Sequence, residues 1–180
     1  MIPESADVVD GVIRLLGPED FDRFWSVRLQ ALQECPGSFG ASYEESKALT
    51  RDEAIVRLSP QDGGFVLGAF LHENAELVGI LGFVRNHGAK NRHRGVIWGV
   101  YVVPQARGRG VARALMVRAL EQCGALEHLE IVLLTVSSGN HPARRLYLSL
   151  GFESYGLDKR ALKIGEHYRD EELMALSLQG

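Results

Sequence analysis

Cysteine is scarce in this 180-residue chain: only Cys35 and Cys123 occur, and neither falls in a CxxC pair or at a Cys/His ligand spacing. That excludes a disulfide framework and a sequence-encoded metal site, so both thiols are expected to be reduced and structural. No run approaches the roughly 18 apolar residues of a membrane-spanning helix, and the opening MIPESADVVDGVIRLL carries acidic residues without a long apolar core. No membrane association is therefore expected, and a cytoplasmic location is. An excess of either charge is missing too: 20 basic against 23 acidic residues leave a net charge of −3, no footprint for nucleic-acid binding. The two common phosphate-loop patterns are absent, with no GxxxxGK[ST] anywhere and no GxGxxG opening the first strand-helix unit. Internal repeats and low-complexity linkers are also lacking. One domain spanning 1–180 is the expectation.

The composition, 46% hydrophobic and 24% charged, is that of a globular chain able to bury a core. Val12 to Leu16 reads as a first strand, and Pro18-Glu19-Asp20 opens a helix carrying Phe21, Phe24, Trp25, Leu29 and Leu32 as far as Cys35, where Pro36-Gly37 breaks it. Thr50 with Glu53 three residues on predicts a capped helix through Leu58. Strands are predicted near Phe65 to His72 and Glu76 to Arg85, joined by a Glu73-Asn74-Ala75 turn. After Phe152 the spacing predicts a strand to about Gly156, a turn-rich stretch, and a last strand over Glu172 to Leu178.

The most informative stretch is Val96 to Leu115, VIWGVYVVPQARGRGVARAL. Val, Ile, Trp and Tyr favour a strand up to Pro104, whereas Ala112, Leu115, Met116, Ala119 and Leu120 recur at helical spacing. Gly108 and Gly110 therefore sit where a strand feeds a helix. Glycine there accepts unusual backbone angles and lets a ligand approach the main chain, while the first-turn N–H groups remain free to donate. With the helix dipole and the charges of Arg107 and Arg109, a phosphate-bearing ligand is the natural occupant. A plain cap or solvated loop is the alternative.

This stretch resembles the main signature of the GNAT superfamily of N-acetyltransferases, Q/R-x-x-G-x-G/A, which here reads Arg107-x-x-Gly110-x-Ala112. A second match lies downstream: Leu133-Leu134-Thr135-Val136, then Asn140 to Tyr147, then Leu150-Gly151-Phe152, is similar to the family's closing strand, helix and GF turn. The resemblance covers roughly residues 64 to 178. It implies a GNAT-type α/β (α+β) fold: a central mixed, mostly antiparallel sheet flanked by helices, with the acetyl-CoA cleft between the splayed central strands. Acetyl-CoA is the implied cosubstrate. Its pyrophosphate would lie on Arg107, Gly108, Arg109, Gly110, Val111 and Ala112, and its pantetheine arm along Val100, Tyr101 and Val102.

Residue chemistry supports the second match. Asn140 is a natural N-cap, Pro142 is tolerated in the first helical turn, and Asn140 and Tyr147 lie about two turns apart on one face. Many family members place there a tyrosine that protonates the departing CoA thiolate. The resemblance thus implies Tyr147 as the catalytic acid and Asn140 as a CoA contact; a half-buried structural tyrosine and a simple cap are the alternatives. The reaction implied is direct attack of a neutral amine on the thioester, with the oxyanion held by a backbone N–H at Val102 or its neighbour. The family often carries a Glu or His base on the central strand, but the matching positions, Val96 and Trp98, are apolar. His93, Glu44, Glu45 and bulk water are the candidates left, His93 being titratable near neutral pH.

Arg28-Leu29-x-Ala31-Leu32, Pro36-x-x-Phe39-Gly40 and the tail from Tyr155-Gly156 to Tyr168-x-Asp170-Glu171 also resemble a bacterial GNAT subgroup whose members are mostly named by family alone. Phe39, Tyr43 and Tyr168 are aromatic candidates for the acceptor pocket or for core packing. The leading expectation is a small-molecule amine acceptor and, as is common in the family, a homodimer. Two alternatives stay open: a peptide or protein acetyltransferase with an open groove, for which no acidic stripe is visible, and a non-catalytic acyl-CoA-binding module.

Overall fold

Two β-rich runs dominate the middle of the chain, β2 (Phe65–Leu71, FVLGAFL) and β3 (Leu77–Arg85, LVGILGFVR). Both are buried along almost their whole length, without the apolar-polar alternation of a half-solvated strand, which demands cover on both faces. The computed structural model, which describes residues 11–58, 62–71 and 76–178, supplies that cover with helices. On one face lies α4 (Val111–Gly124), whose Val111 and Leu115 would crowd a side chain at Gly79; on the other lies α1 (Phe21–Glu34), beside Trp98 and the opposing Gly82. The predicted Glu73-Asn74-Ala75 turn and the acidic start of the chain lie outside the described residues.

The sheet has seven strands. With β1 (Gly11–Leu15), β4 (Arg94–Val102), β5 (Ile131–Ser137), β6 (Glu153–Ile164) and β7 (His167–Ser177), the order is β1-β2-β3-β4-β5-β7-β6. Every neighbouring pair is antiparallel except β4 and β5, whose parallel pairing is bridged by the crossover helix α4. This is the expected mixed, mostly antiparallel sheet flanked by helices. Two short helices, α2 (Tyr43–Lys47) and α3 (Arg51–Ile55), follow α1, and α5 (His141–Ser149) follows β5.

Local signals hold where they are chemical. The Thr50 N–H donates to Glu53 Oε2 at 2.8 Å and the Glu53 N–H returns to Thr50 Oγ1 at 3.4 Å, the predicted capping box. Gly151 stops α5 at φ +92°, its N–H donating to the Leu148 carbonyl at 3.1 Å. The tail differs from its prediction. In place of two short strands around a turn-rich stretch, β6 and β7 form one long hairpin, and the turn-like residues Asp158 to Leu162 are an irregularity inside it. There Arg160 adopts φ +58° and its N–H donates to Asp170 Oδ1 at 2.7 Å. The reason is solvent: β6 is exposed over most of its length at the sheet edge, so no apolar alternation marks it as a strand.

Candidate active site

Two features open the sheet at its centre. In β4, Trp98 pairs with Gly82 and Tyr101 with Ile80, so Gly99 and Val100 face the single residue Leu81. This is a bulge, and Gly99 takes it at φ +66°, a backbone angle that costs glycine little. A bulge bends its strand, and β4 indeed parts from β5: parallel pairing runs only from Arg94 to Val96 against Ile131 to Leu133. Beyond that point a cleft of about 500 Å³ separates them, walled by Val96 to Val102 on one side and Leu134 to Ser137 on the other. Gly99 and Val100 therefore lack a strand partner on either side.

At one end of the cleft, the chain leaves β4 through a 3₁₀ turn, Pro104–Ala106, and reaches Gly108 at φ +74° and Gly110 at φ +78°. Gly110 is the N-cap of α4 and carries no side chain to occupy the first-turn donors. A Cβ at either glycine would meet no atom within 4 Å, so the loop surface is open to a ligand. Arg107, which also lines the cleft, is held by the protein itself. Its Nε donates to the Val102 carbonyl at 2.9 Å and its Nη2 to Glu34 Oε1 at 2.5 Å, while Glu34 Oε2 accepts from the Tyr101 hydroxyl at 2.5 Å. That latch ties the loop to the end of α1. It holds the Glu34 carboxyl below its usual range, chiefly through the Tyr101 bond, and burial followed by Glu34 raises the Tyr101 phenol. Tyr101 can thus offer the cleft its main chain rather than its hydroxyl. Arg109 is exposed on the loop, and the Val111 side chain is buried in the core.

On the facing wall, the Asn140 side chain caps α5 by accepting from the Ala143 N–H at 3.3 Å, as its position predicted. Tyr147 lies two turns on and lines the same cleft, 7% exposed, its ring 6.0 Å from that of Phe152. Burial pushes its phenol up to about 12, so the group stays protonated at neutral pH. Among the described residues its hydroxyl has no hydrogen-bond partner. Arg144 pairs with Glu172 at 2.6 Å and Arg113 donates to Ser149 at 2.9 Å, so these two bases brace α5.

The structure separates the base candidates from the cleft. Glu44 and Glu45 are exposed on α2, and His93 lies in the turn before β4, where its carbonyl accepts the Glu130 and Ile131 N–H groups. None of the three lines the cleft; among the described residues the carboxylate that does is Glu171 of β7. Burial, followed by repulsion from Asp158, raises its pKa. Of the aromatic candidates, Phe39 lines the cleft, whereas Tyr43 and Tyr168 do not. Cys35 lies on the wall, and Cys123 is buried in the core. Two lining residues, Arg28 and Glu171, were not expected from site motifs. In the sequence both appear only within the subgroup motifs, and Arg28 also as a charge on the apolar stripe of α1.

The model of the acetyltransferase (GNAT) family matches residues 27–152, more than half the chain and all of the cleft but β7. The chain belongs to the acetyltransferase (GNAT) family. This is a family of N-acetyltransferases with acetyl-CoA as cosubstrate. The L-amino acid N-acetyltransferase AaaT of Escherichia coli (strain K12) is 39% identical over 79 residues, 43% of this chain and 48% of that protein. The chain thus matches about half the length of this curated relative. Among solved structures, a GNAT-family acetyltransferase from Streptococcus pneumoniae superposes with a TM-score of 0.78 at 24% identity, covering 93% of this chain and 99% of that one. The yncA acetyltransferase of Salmonella typhimurium, solved with its cofactor acetyl-CoA, superposes with a TM-score of 0.81 at 20% identity, covering 94% and 95%. These likenesses show the GNAT fold. In this GNAT chain Val96 and Trp98 line the cleft as apolar residues, so no base comes from those two positions. No helix among the described residues is long and apolar enough to cross a membrane.

Proposed function

We propose that this chain, as one catalytic domain, transfers the acetyl group of acetyl-CoA to the primary amine of a small molecule. The observation that carries the reading is the cleft itself, an opening between two strands with an anion-receptive helix start at one end and a buried, protonated phenol on its wall. The pyrophosphate lies on the loop from Arg107 to Ala112, the α4 N–H groups donating to it and Arg107 holding the loop in place. Val100, Tyr101 and Val102 present main chain to the pantetheine arm, and Asn140 contacts it from α5. The bulge at Gly99 and Val100 frees backbone donors for the oxyanion.

The acceptor nitrogen attacks the thioester carbonyl, the C–S bond breaks, and Tyr147 gives its proton to the leaving sulfur. Glu171 takes one proton from the ammonium before attack. The second N–H proton, lost from the tetrahedral intermediate, passes through water to the Tyr147 phenolate, and Glu171 releases its proton to solvent, so one proton is freed per turnover. The curated relative's name, an L-amino acid N-acetyltransferase, agrees with a small amine. Acetyl-CoA-dependent thiol release against amino acids, polyamines, aminoglycosides and short peptides tests the reading. Turnover with a small amine is the expected result; turnover confined to peptides, or acetyl-CoA binding without any turnover, would sink it.

The Glu171 assignment has its own signature. Its raised pKa means that the basic form is lost from a higher pH downward than for an ordinary glutamate, so kcat/KM falls as pH drops through that range. Glu171→Gln is expected to lower kcat/KM at pH 7 by about 10²-fold and to recover at alkaline pH, where the amine deprotonates in solution. An unchanged rate at pH 7 returns the proton to water.

A further inference from the structure

Arg28 occupies a place where helical spacing calls for an apolar residue. It lies one turn from Phe24 and one turn from Leu32 on the buried stripe of α1, and those residues are 0% and 1% exposed. Arg28 itself is only 6% exposed, and its Nη1 is buried without a hydrogen-bond partner. No carboxylate among the described residues forms an ion pair with it. Its neighbours are ring faces, Phe39 at 4.9 Å and Trp98 at 5.8 Å from the guanidinium carbon. Burial, and then repulsion from Arg57, lower its pKa to about 10, which still leaves it charged at neutral pH. A desolvated cation without a counter-ion is costly, and folding alone gives no reason to keep one.

The place of this charge indicates its use. Arg28 lines the cleft, and a Cβ on Gly99 would stand 3.5 Å from Nη1, so the guanidinium lies beside the bulge that opens β4. The bulge lies about 13 Å along the strand from Val103, which precedes the turn into the glycine loop, so the phosphate site proposed above is a separate one. A guanidinium presents a planar fork that matches a carboxylate with two parallel donors, and the flanking rings exclude the water that would compete. We infer that Arg28 is the receptor for a carboxylate on the acceptor, which makes the acceptor an amino acid or a close analogue with amine and carboxylate on one small skeleton. This rests on the small-molecule acetyl-transfer reading above. The anchor holds the acceptor by its carboxylate and leaves the amine to reach the thioester, so Arg28 sets substrate choice.

The test compares kcat/KM for L-amino acids, their primary amides and the matching decarboxylated amines, in the native protein, Arg28→Gln and Arg28→Lys, with calorimetric acetyl-CoA binding and Tm measured alongside. The native protein is expected to favour the amino acid over its amide by on the order of 10²-fold, and Arg28→Gln to bring that ratio near one, mainly through KM. Acetyl-CoA affinity should not change, and Tm should hold or rise, because the variant removes a buried charge that has no partner; a purely structural arginine would lower it. Arg28→Lys keeps the charge without the fork, and is expected to raise the amino acid KM about 10-fold while leaving the amide unchanged. Equal use of acids and amides by the native protein, or discrimination retained in Arg28→Gln, overturns the inference while leaving acetyl transfer to small amines intact. If no amine is acetylated at all, the functional reading fails instead. Calorimetric titration of an amino acid into the CoA-loaded protein then decides: binding lost in Arg28→Gln supports the anchor, and binding that is absent or insensitive to residue 28 refutes it.

Discussion

Replacing Gly110 with glutamate is expected to abolish acetyl-CoA binding, a loss of at least about 10²-fold in calorimetric Kd, from a domain that stays folded. Two separate effects act at this position. The φ of +78° is left-handed, so any side chain there costs roughly 1 to 2 kcal/mol of stability, a tolerable part of the ~5 to 15 kcal/mol of an ordinary domain. A Cβ meets no neighbour within 4 Å, so no clash adds to that strain. The charge is the larger effect on binding: a carboxylate at the N-cap of α4 takes the first-turn donors and repels a pyrophosphate from the same place. Gly110→Ala carries the same strain without the charge, so it should lower Tm comparably yet retain most of the affinity. Equal affinity in Gly110→Glu and the native protein would remove the phosphate from this loop.

Tyr147→Phe should lower kcat by about 10²-fold or more, within the range typical of general acid catalysis, and leave the acetyl-CoA affinity nearly unchanged. The substitution is clean here because the hydroxyl has no partner among the described residues, so its removal strands no buried donor or acceptor. The ring keeps its packing on Phe152, and Tm should hardly move. With a pKa pushed up to about 12, the phenol loses its proton only as pH rises through that value, so Tyr147 adds no alkaline fall in rate below about pH 11. An acidic fall in the profile, carried by Glu171 and the acceptor amine, is what remains. A Tyr147→Phe enzyme of native rate would make the tyrosine a packing residue.

What the sequence disclosed follows from how local each signal is. The glycine loop was legible because a change from β-branched to helical spacing and two glycines at positive φ are properties of neighbouring residues. Asn140 and Tyr147 were legible for the same reason, two turns apart on one capped helix. The length of the β6–β7 hairpin was not: beyond the expected strand ends, the exposed residues of β6 carry turn-like cues that become a bulge around Arg160. Glu171 reaches the cleft only through that hairpin, so the tail motif that includes it gave no sign of its place at the site. Arg28 was visible as part of a resemblance and as a charge on an apolar stripe, and it acquires meaning only when Trp98 and Phe39, from other elements, close around it. Arg107 shows the reverse case. The motif marks the loop it sits in, but the carboxylate that engages it, Glu34, lies 73 residues away in the chain.

The unpaired edges of β4 and β5 give the cleft one more consequence. A sheet edge is ordinarily filled by another strand, or guarded against one. Here both edges lie in the interior of the sheet, and the cleft between them is walled also by residues of α5 and by Arg107 and Ala112 at the glycine loop. The pantetheine arm is a short chain with two amides, and in the proposed complex it lies in the gap as a guest ribbon, amide to main chain. In that proposal the acyl donor extends the ladder between β4 and β5 past Val96 and Leu133, where their own pairing ends.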